Sequence, residues 1–126
     1  MIQWTIEQQF LVIDHNPDSR GLLTRSLRRK FQDCNVLQTS DAEEAVAALS
    51  SVNVDAVILH RAVGADAVEM VRSLRQVNPS VVIIVVSGVD RSESVLQAGA
   101  TGFLRVDEWL MLGTMVKNAI EAENGK

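Results

Sequence analysis

The run VVIIVV, Val81 to Val86, is six consecutive β-branched residues. Such side chains suit a pleated strand, and a run without polar alternation offers no face to water. A strand of that kind belongs inside a parallel sheet covered by helices on both faces. The flanking segments should therefore supply helices and further strands in turn.

Upstream they do. FLVID, Phe10 to Asp14, is a short apolar run, and Asn16-Pro17 after it supplies a capping side chain and a proline suited to a first helical position. Over 17–31, Leu22, Leu23, Ser26, Leu27 and Lys30 trace one stripe, leaving Arg20, Arg25, Arg28 and Arg29 for water. Cys34 to Gln38 reads as a second strand, and Ser40 with Glu43 matches a capping box opening a helix through Ala45, Val46 and Leu49. DAVIL, Asp55 to Leu59, is a third strand. Gly64 lies in the loop after it, and Val68, Val71 and Leu74 repeat at helical spacing until Asn78-Pro79.

Downstream, a helix over 91–98 ends at Gly99, and Gly102 to Val106 forms a fifth strand. A helix over 107–122 then buries Leu112, Val116, Ala119 and Ile120. Five alternations without a linker imply a single α/β domain over 1–126, with 1–8 as an N-terminal extension and 123–126 as a polar tail. In such sheets ligand sites collect beyond the carboxyl ends of the strands, which places Asp14, His15, His60 and Ser87 at the candidate site.

Composition narrows the function. The chain has 126 residues, 47% hydrophobic and 22% charged, as in a folded globular domain. A net charge of −4 argues against a direct electrostatic grip on nucleic acid. No apolar stretch approaches the roughly 20 residues of a membrane span, and MIQWTIEQQF lacks the pattern of a secretory signal. The lone Cys34 cannot form an internal disulfide, and a cytoplasmic protein is expected. FLVIDHNPDS also lacks the glycine-rich loop of nucleotide-binding enzymes.

FLVIDHNPDSRGLLTRSLRR, SDAEEAVAAL, VVIIVVSG and AGATGFL, in that order, resemble successive stretches of the receiver domain of bacterial response regulators. The resemblance implies a flavodoxin-like (CheY-like) doubly wound fold, with five parallel strands in the order 2-1-3-4-5 and helices on both faces. It also implies a pocket in which two acids and a nucleophilic aspartate hold magnesium, the aspartate is phosphorylated, and a hydroxyl and a lysine bind the phosphoryl oxygens. Asp14 matches the first acid and Ser87 the hydroxyl. His15 stands where the second acid is usual, His60 at the phosphoacceptor position and Val106 at the lysine, with Arg105 one residue early and on the opposite strand face. The loop after His60 is one residue short and lacks the usual proline, while Asp66, Val68 and Glu69 resume the pattern.

The expectation is a degenerate pocket in an atypical receiver: no catalytic residue, no cofactor, and weak or absent Mg²⁺ binding. Such a module acts in two-component or phosphorelay signalling through protein contacts without phosphorylation. In the bland reading the two imidazoles fill a former acidic pocket, His60 bonding to Asp14. Sharper readings make Asp14, His15 and His60 a transition-metal site or a pH sensor, or give the chain a non-standard phosphoacceptor. Arg25, Arg28 and Arg29, with Lys30, form a basic helix face suited to a histidine kinase or phosphotransfer protein. Arg105, Trp109 and Met111 lie where the family forms dimer or output-domain contacts through the last two helices and fifth strand; Trp109 and Met111 cannot both face inward. Trp4 should pack at the sheet's edge or base.

Overall fold

In this computed structural model, which describes residues 7–125, the strands are β1 (Gln8–Asp14), β2 (Cys34–Thr39), β3 (Ala56–Arg61), β4 (Val82–Ser87) and β5 (Gly102–Arg105). The helices are α1 (Pro17–Lys30), α2 (Ala42–Ser51), α3 (Ala67–Val77), α4 (Ser92–Ala98) and α5 (Leu112–Asn124), with a 3₁₀ segment Val106–Met111 before the last. All strand pairs are parallel and the order is β2-β1-β3-β4-β5. This is the flavodoxin-like arrangement, and Trp4 lies outside the described residues.

Every residue of β4 is buried, because both sheet faces are covered. Leu11, Ile13, Val57, Leu59, Ile83 and Val85 pack under α2, α3 and α4. Phe10, Val12, Ile58, Val82, Ile84 and Val86 pack under α1 and α5. Each such side chain contributes about 1.5–3 kcal/mol on leaving water, so the two layers hold the strand ends in fixed relation.

Several boundaries differ from the expectations, each for a local reason. β1 begins at Gln8, which pairs with Cys34, two residues before the expected start at Phe10. α2 is capped by Asp41 accepting from the Glu44 amide at 3.0 Å, not by Ser40, whose carbonyl instead accepts from the Val63 amide at 2.8 Å. β5 stops at Arg105, and the helix expected over 107–122 is divided: Glu108 is non-helical (φ −101°, ψ 24°) and α5 proper runs from Leu112 to Asn124, into the expected tail. Trp109 is half-buried against the α1/α5 layer, whereas Met111 is 52% exposed. In α1 Leu22 is half-buried, Lys30 is exposed and Thr24 is buried. Arg20 is not left to water: its guanidinium donates to the Asp14 carbonyl at 2.9 Å and to Gln38 at 3.2 Å.

Two contacts fix helix positions. A Cβ on Gly113 would lie 2.6 Å from the Lys30 Cβ and 2.8 Å from the Ser26 carbonyl, so only glycine allows α5 to approach α1 this closely. Arg75 of α3 donates to the carbonyls of Gly99 (2.7 Å), Asn78 (3.3 Å) and Val81 and to the Thr101 hydroxyl (3.1 Å), tying α3 to the turns that flank β4 and follow α4. Burial lowers its pKa, yet an arginine stays charged at any working pH.

Gly113→Ala should therefore destabilise the fold by about 1–3 kcal/mol through overpacking. Gly21→Ala, where nothing lies within 4 Å, should stabilise α1 by about 0.5–1 kcal/mol. Urea denaturation of the pair measures both signs. Arg75→Met, which keeps the stem but strands three carbonyls, should cost about 2 kcal/mol in the same assay.

Candidate functional site

The carboxyl ends of β1, β3 and β4 converge on one edge, and a backbone irregularity decides what is presented there. Ile13 pairs with Leu59, but the next pair is Asp14 with Arg61, so the ladder skips His60. The His15 amide donates to the Arg61 carbonyl at 2.9 Å, fixing the shifted register. His60 lies beyond the last β3–β4 pair, Leu59 with Val85, and its ring turns toward the end of β4.

There His60 Nδ1 lies 2.8 Å from the Val86 carbonyl oxygen. A carbonyl only accepts, so Nδ1 is the donor in this contact. Nε2 sits 3.5 Å from Arg61 Nη2, and the residue is 8% exposed. The expected bond to Asp14 is absent. Asp14 is fully buried and satisfied locally: one carboxylate oxygen accepts from the Ser19 hydroxyl and the other from the Asn16 amide at 3.1 Å. It belongs to the cap of α1, whose Asn16 side chain accepts from the Asp18 amide at 2.8 Å.

Ser87, 8% exposed, ends β4, and its oxygen accepts from the Val89 amide at 3.2 Å. Val106 follows β5 directly and packs on the α1/α5 layer. A cavity of about 480 Å³ opens over these ends, with His15, His60, Ser87 and Val106 in its lining; Asp14 and Arg105 do not line it. Arg105 lies 4.0 Å from Asp107.

His15 is exposed while Asp14 is buried and occupied, so the strand-end trio does not form a ligand set. Among the described residues no group of three or more His, Cys, Asp or Glu side chains is placed to hold a metal ion.

The cavity brings in residues not singled out from sequence as site residues. Arg61 and Arg91 line it, with Asp66 opposite. Asp66 caps α3, and the Glu69 amide donating to it at 2.9 Å, helped by the Glu69 side chain, holds its carboxyl below the usual range. The short loop after β3 is drawn toward α2, where the Ala42 amide donates to the Val63 carbonyl at 2.9 Å. Only the one-residue shortening hinted at this; the arginines carry no periodic signal.

The surfaces expected to meet partners are open. Arg25, Arg28 and Arg29 are exposed on α1, and Met111 is joined by Leu110 (57% exposed), which sequence had not marked. No helix among the described residues is long and apolar enough to cross a membrane.

The chain matches the model of the response regulator receiver domain over residues 10–106. No curated protein sequence matches it. Among solved structures it is similar to a CheY-like receiver domain protein from Methanospirillum hungatei JF-1, at 15% identity and TM-score 0.80, covering 95% of this chain and 98% of that one. A response regulator from Burkholderia pseudomallei, solved with a phosphorylated aspartic acid, calcium ion and citrate, is 24% identical with TM-score 0.70, covering 94% and 73%. The receiver domain of a Pseudomonas aeruginosa PAO1 sensor histidine kinase, with magnesium in its active-site cleft, is 22% identical with TM-score 0.76, covering 92% and 99%. At these identities the structures speak for the fold; with the family match over most of its length, the chain belongs to the response regulator receiver domain family.

Proposed function

We propose that this receiver domain acts in two-component signalling without aspartyl phosphorylation, through protein contacts made by one standing conformation. The observation that carries the reading is His60. An imidazole whose Nδ1 is engaged by the Val86 carbonyl lies near the end of β3, where the sequence resemblance leads one to expect the acceptor aspartate; the Burkholderia response regulator carries a phosphorylated aspartic acid.

Magnesium demands several hard oxygen donors in near-octahedral geometry. The residues present do not fit it: among the described residues, the oxygens of Asp14 at the end of β1 are already hydrogen-bonded, Asp66 in the cavity wall is engaged as the cap of α3, and His15 and His60 offer nitrogen. An acyl phosphate also needs a carboxylate nucleophile and a cation to offset its charge. Val106, apolar and packed on the core, stands in place of the lysine. These groups give no route to a covalent step, so the module works as a non-enzymatic binding partner.

Its partners in this reading are a histidine kinase, a phosphotransfer protein or an output domain. The exposed Arg25, Arg28 and Arg29 of α1 suit an acidic surface, and the exposed Leu96, Leu110 and Met111 suit an output domain or a second copy. The expected location is the cytoplasm.

Incubation with acetyl phosphate and Mg²⁺, followed by intact mass spectrometry, should give no phosphoryl adduct. The triple variant His15→Asp, His60→Asp, Val106→Lys should acquire one. An adduct on the unaltered chain would overturn the reading, and peptide mapping to His60 would establish an imidazole acceptor instead.

A further inference from the structure

We propose that the strand-end cavity is a binding site for a small organic anion carrying a phosphate or carboxylate group. The inference builds on the reading that this pocket holds no phosphoaspartate, and it assigns the vacated space a ligand of its own.

The charge balance points that way. The chain as a whole is acidic, at −4, yet two arginines, Arg61 and Arg91, line this cavity against one carboxylate, Asp66. Asp66 is itself partly committed: it accepts from the Glu69 amide as the cap of α3, and Arg72 lies close enough to act on its charge. Asp14, beneath the cavity, keeps its carboxylate turned to Ser19 and Asn16. A cleft of one sign in a protein of the other concentrates counter-charge locally.

Ser87 supplies an independent observation. It is 8% exposed, lines the cavity, and its oxygen accepts from the Val89 amide, so its proton remains to be donated. A buried hydroxyl with a proton to give, beside guanidinium groups that only donate, forms a donor set suited to an oxyanion. Arg61 is steered over the site by the register shift that also aims His60, its Nη2 reaching 3.5 Å from Nε2.

Size and walls set the ligand class. The cavity, about 480 Å³, falls within the range of small-molecule sites and exceeds the needs of a bare phosphate. Leu59, Ala62, Ala65, Val85, Val89 and Val106 give it apolar walls. An anion with a short carbon body meets both the donors and the walls.

The test titrates the full chain with 3-phosphoglycerate, which does not donate its phosphoryl group, at constant ionic strength against a sodium chloride control. Amide ¹H–¹⁵N shifts are the readout. Saturable shifts at Arg61, Ser87 and Arg91 are expected. Arg61→Gln with Arg91→Gln should weaken binding about tenfold or more, whereas Arg28→Gln with Arg29→Gln on α1 should leave it unchanged. Inorganic phosphate in a parallel titration should bind more weakly, since it leaves the apolar walls unfilled. Shifts no larger than the chloride control, shifts centred on α1, or affinity unaltered in the Arg61/Arg91 variant would each overturn the site. An acetyl phosphate adduct on the same protein would instead sink the phosphorylation-independent reading, so the two failures are separable.

Discussion

The double coverage of β4 is the constraint from which the rest follows. A strand of Val82, Ile83, Ile84, Val85 and Val86 has no side to give to solvent, so helices must lie on both faces of the sheet. Right-handed crossovers then bring every strand's carboxyl end to the same edge. With β1 and β3 adjacent and their helices on opposite faces, a crevice opens at that edge whatever residues line it. The scaffold thus guarantees a cavity, while its chemistry is left to a handful of end residues.

In the proposed function, those residues oppose the electrostatics that aspartyl phosphorylation requires. The skipped pairing at His60 frees its ring to bond the Val86 carbonyl, and the same shift sets Arg61 over the opening. Asp14 is retained, but as part of the α1 cap, receiving Ser19 and the Asn16 amide. A carboxylate so bonded helps position the helix. Below the cavity, Arg75 and Gly113 keep α3 and α5 in place through contacts remote from the strand ends.

Much of this was legible in the sequence, and the exceptions have physical causes. The β-branched runs announced the strands, Asn16-Pro17 and Asn78-Pro79 marked helix limits, and Gly99 (φ +118°) closed α4. The bulge at Ile13/Asp14 was invisible, because register is set by backbone pairing and leaves no trace in composition. Without it, a bond between His60 and Asp14 looked natural. Ser40 and Asp41 are both good capping residues, so the start of α2 was ambiguous by one position. Arg61 and Arg91 were missed because long side chains on loops follow no period.

The proposed function rests on one electrostatic point: imidazole and valine stand at the strand ends where a carboxylate and an amine would be needed to hold a hard cation and carry an acyl phosphate. Adding beryllofluoride and Mg²⁺ while following the amide resonances of His60, Ser87 and Val106 tests it most directly. The account predicts that His60 and Val106 show no slow-exchange adduct beyond a fluoride and magnesium control. Saturable, slow-exchange shifts at residue 60, with a bound fluoride signal, would contradict it.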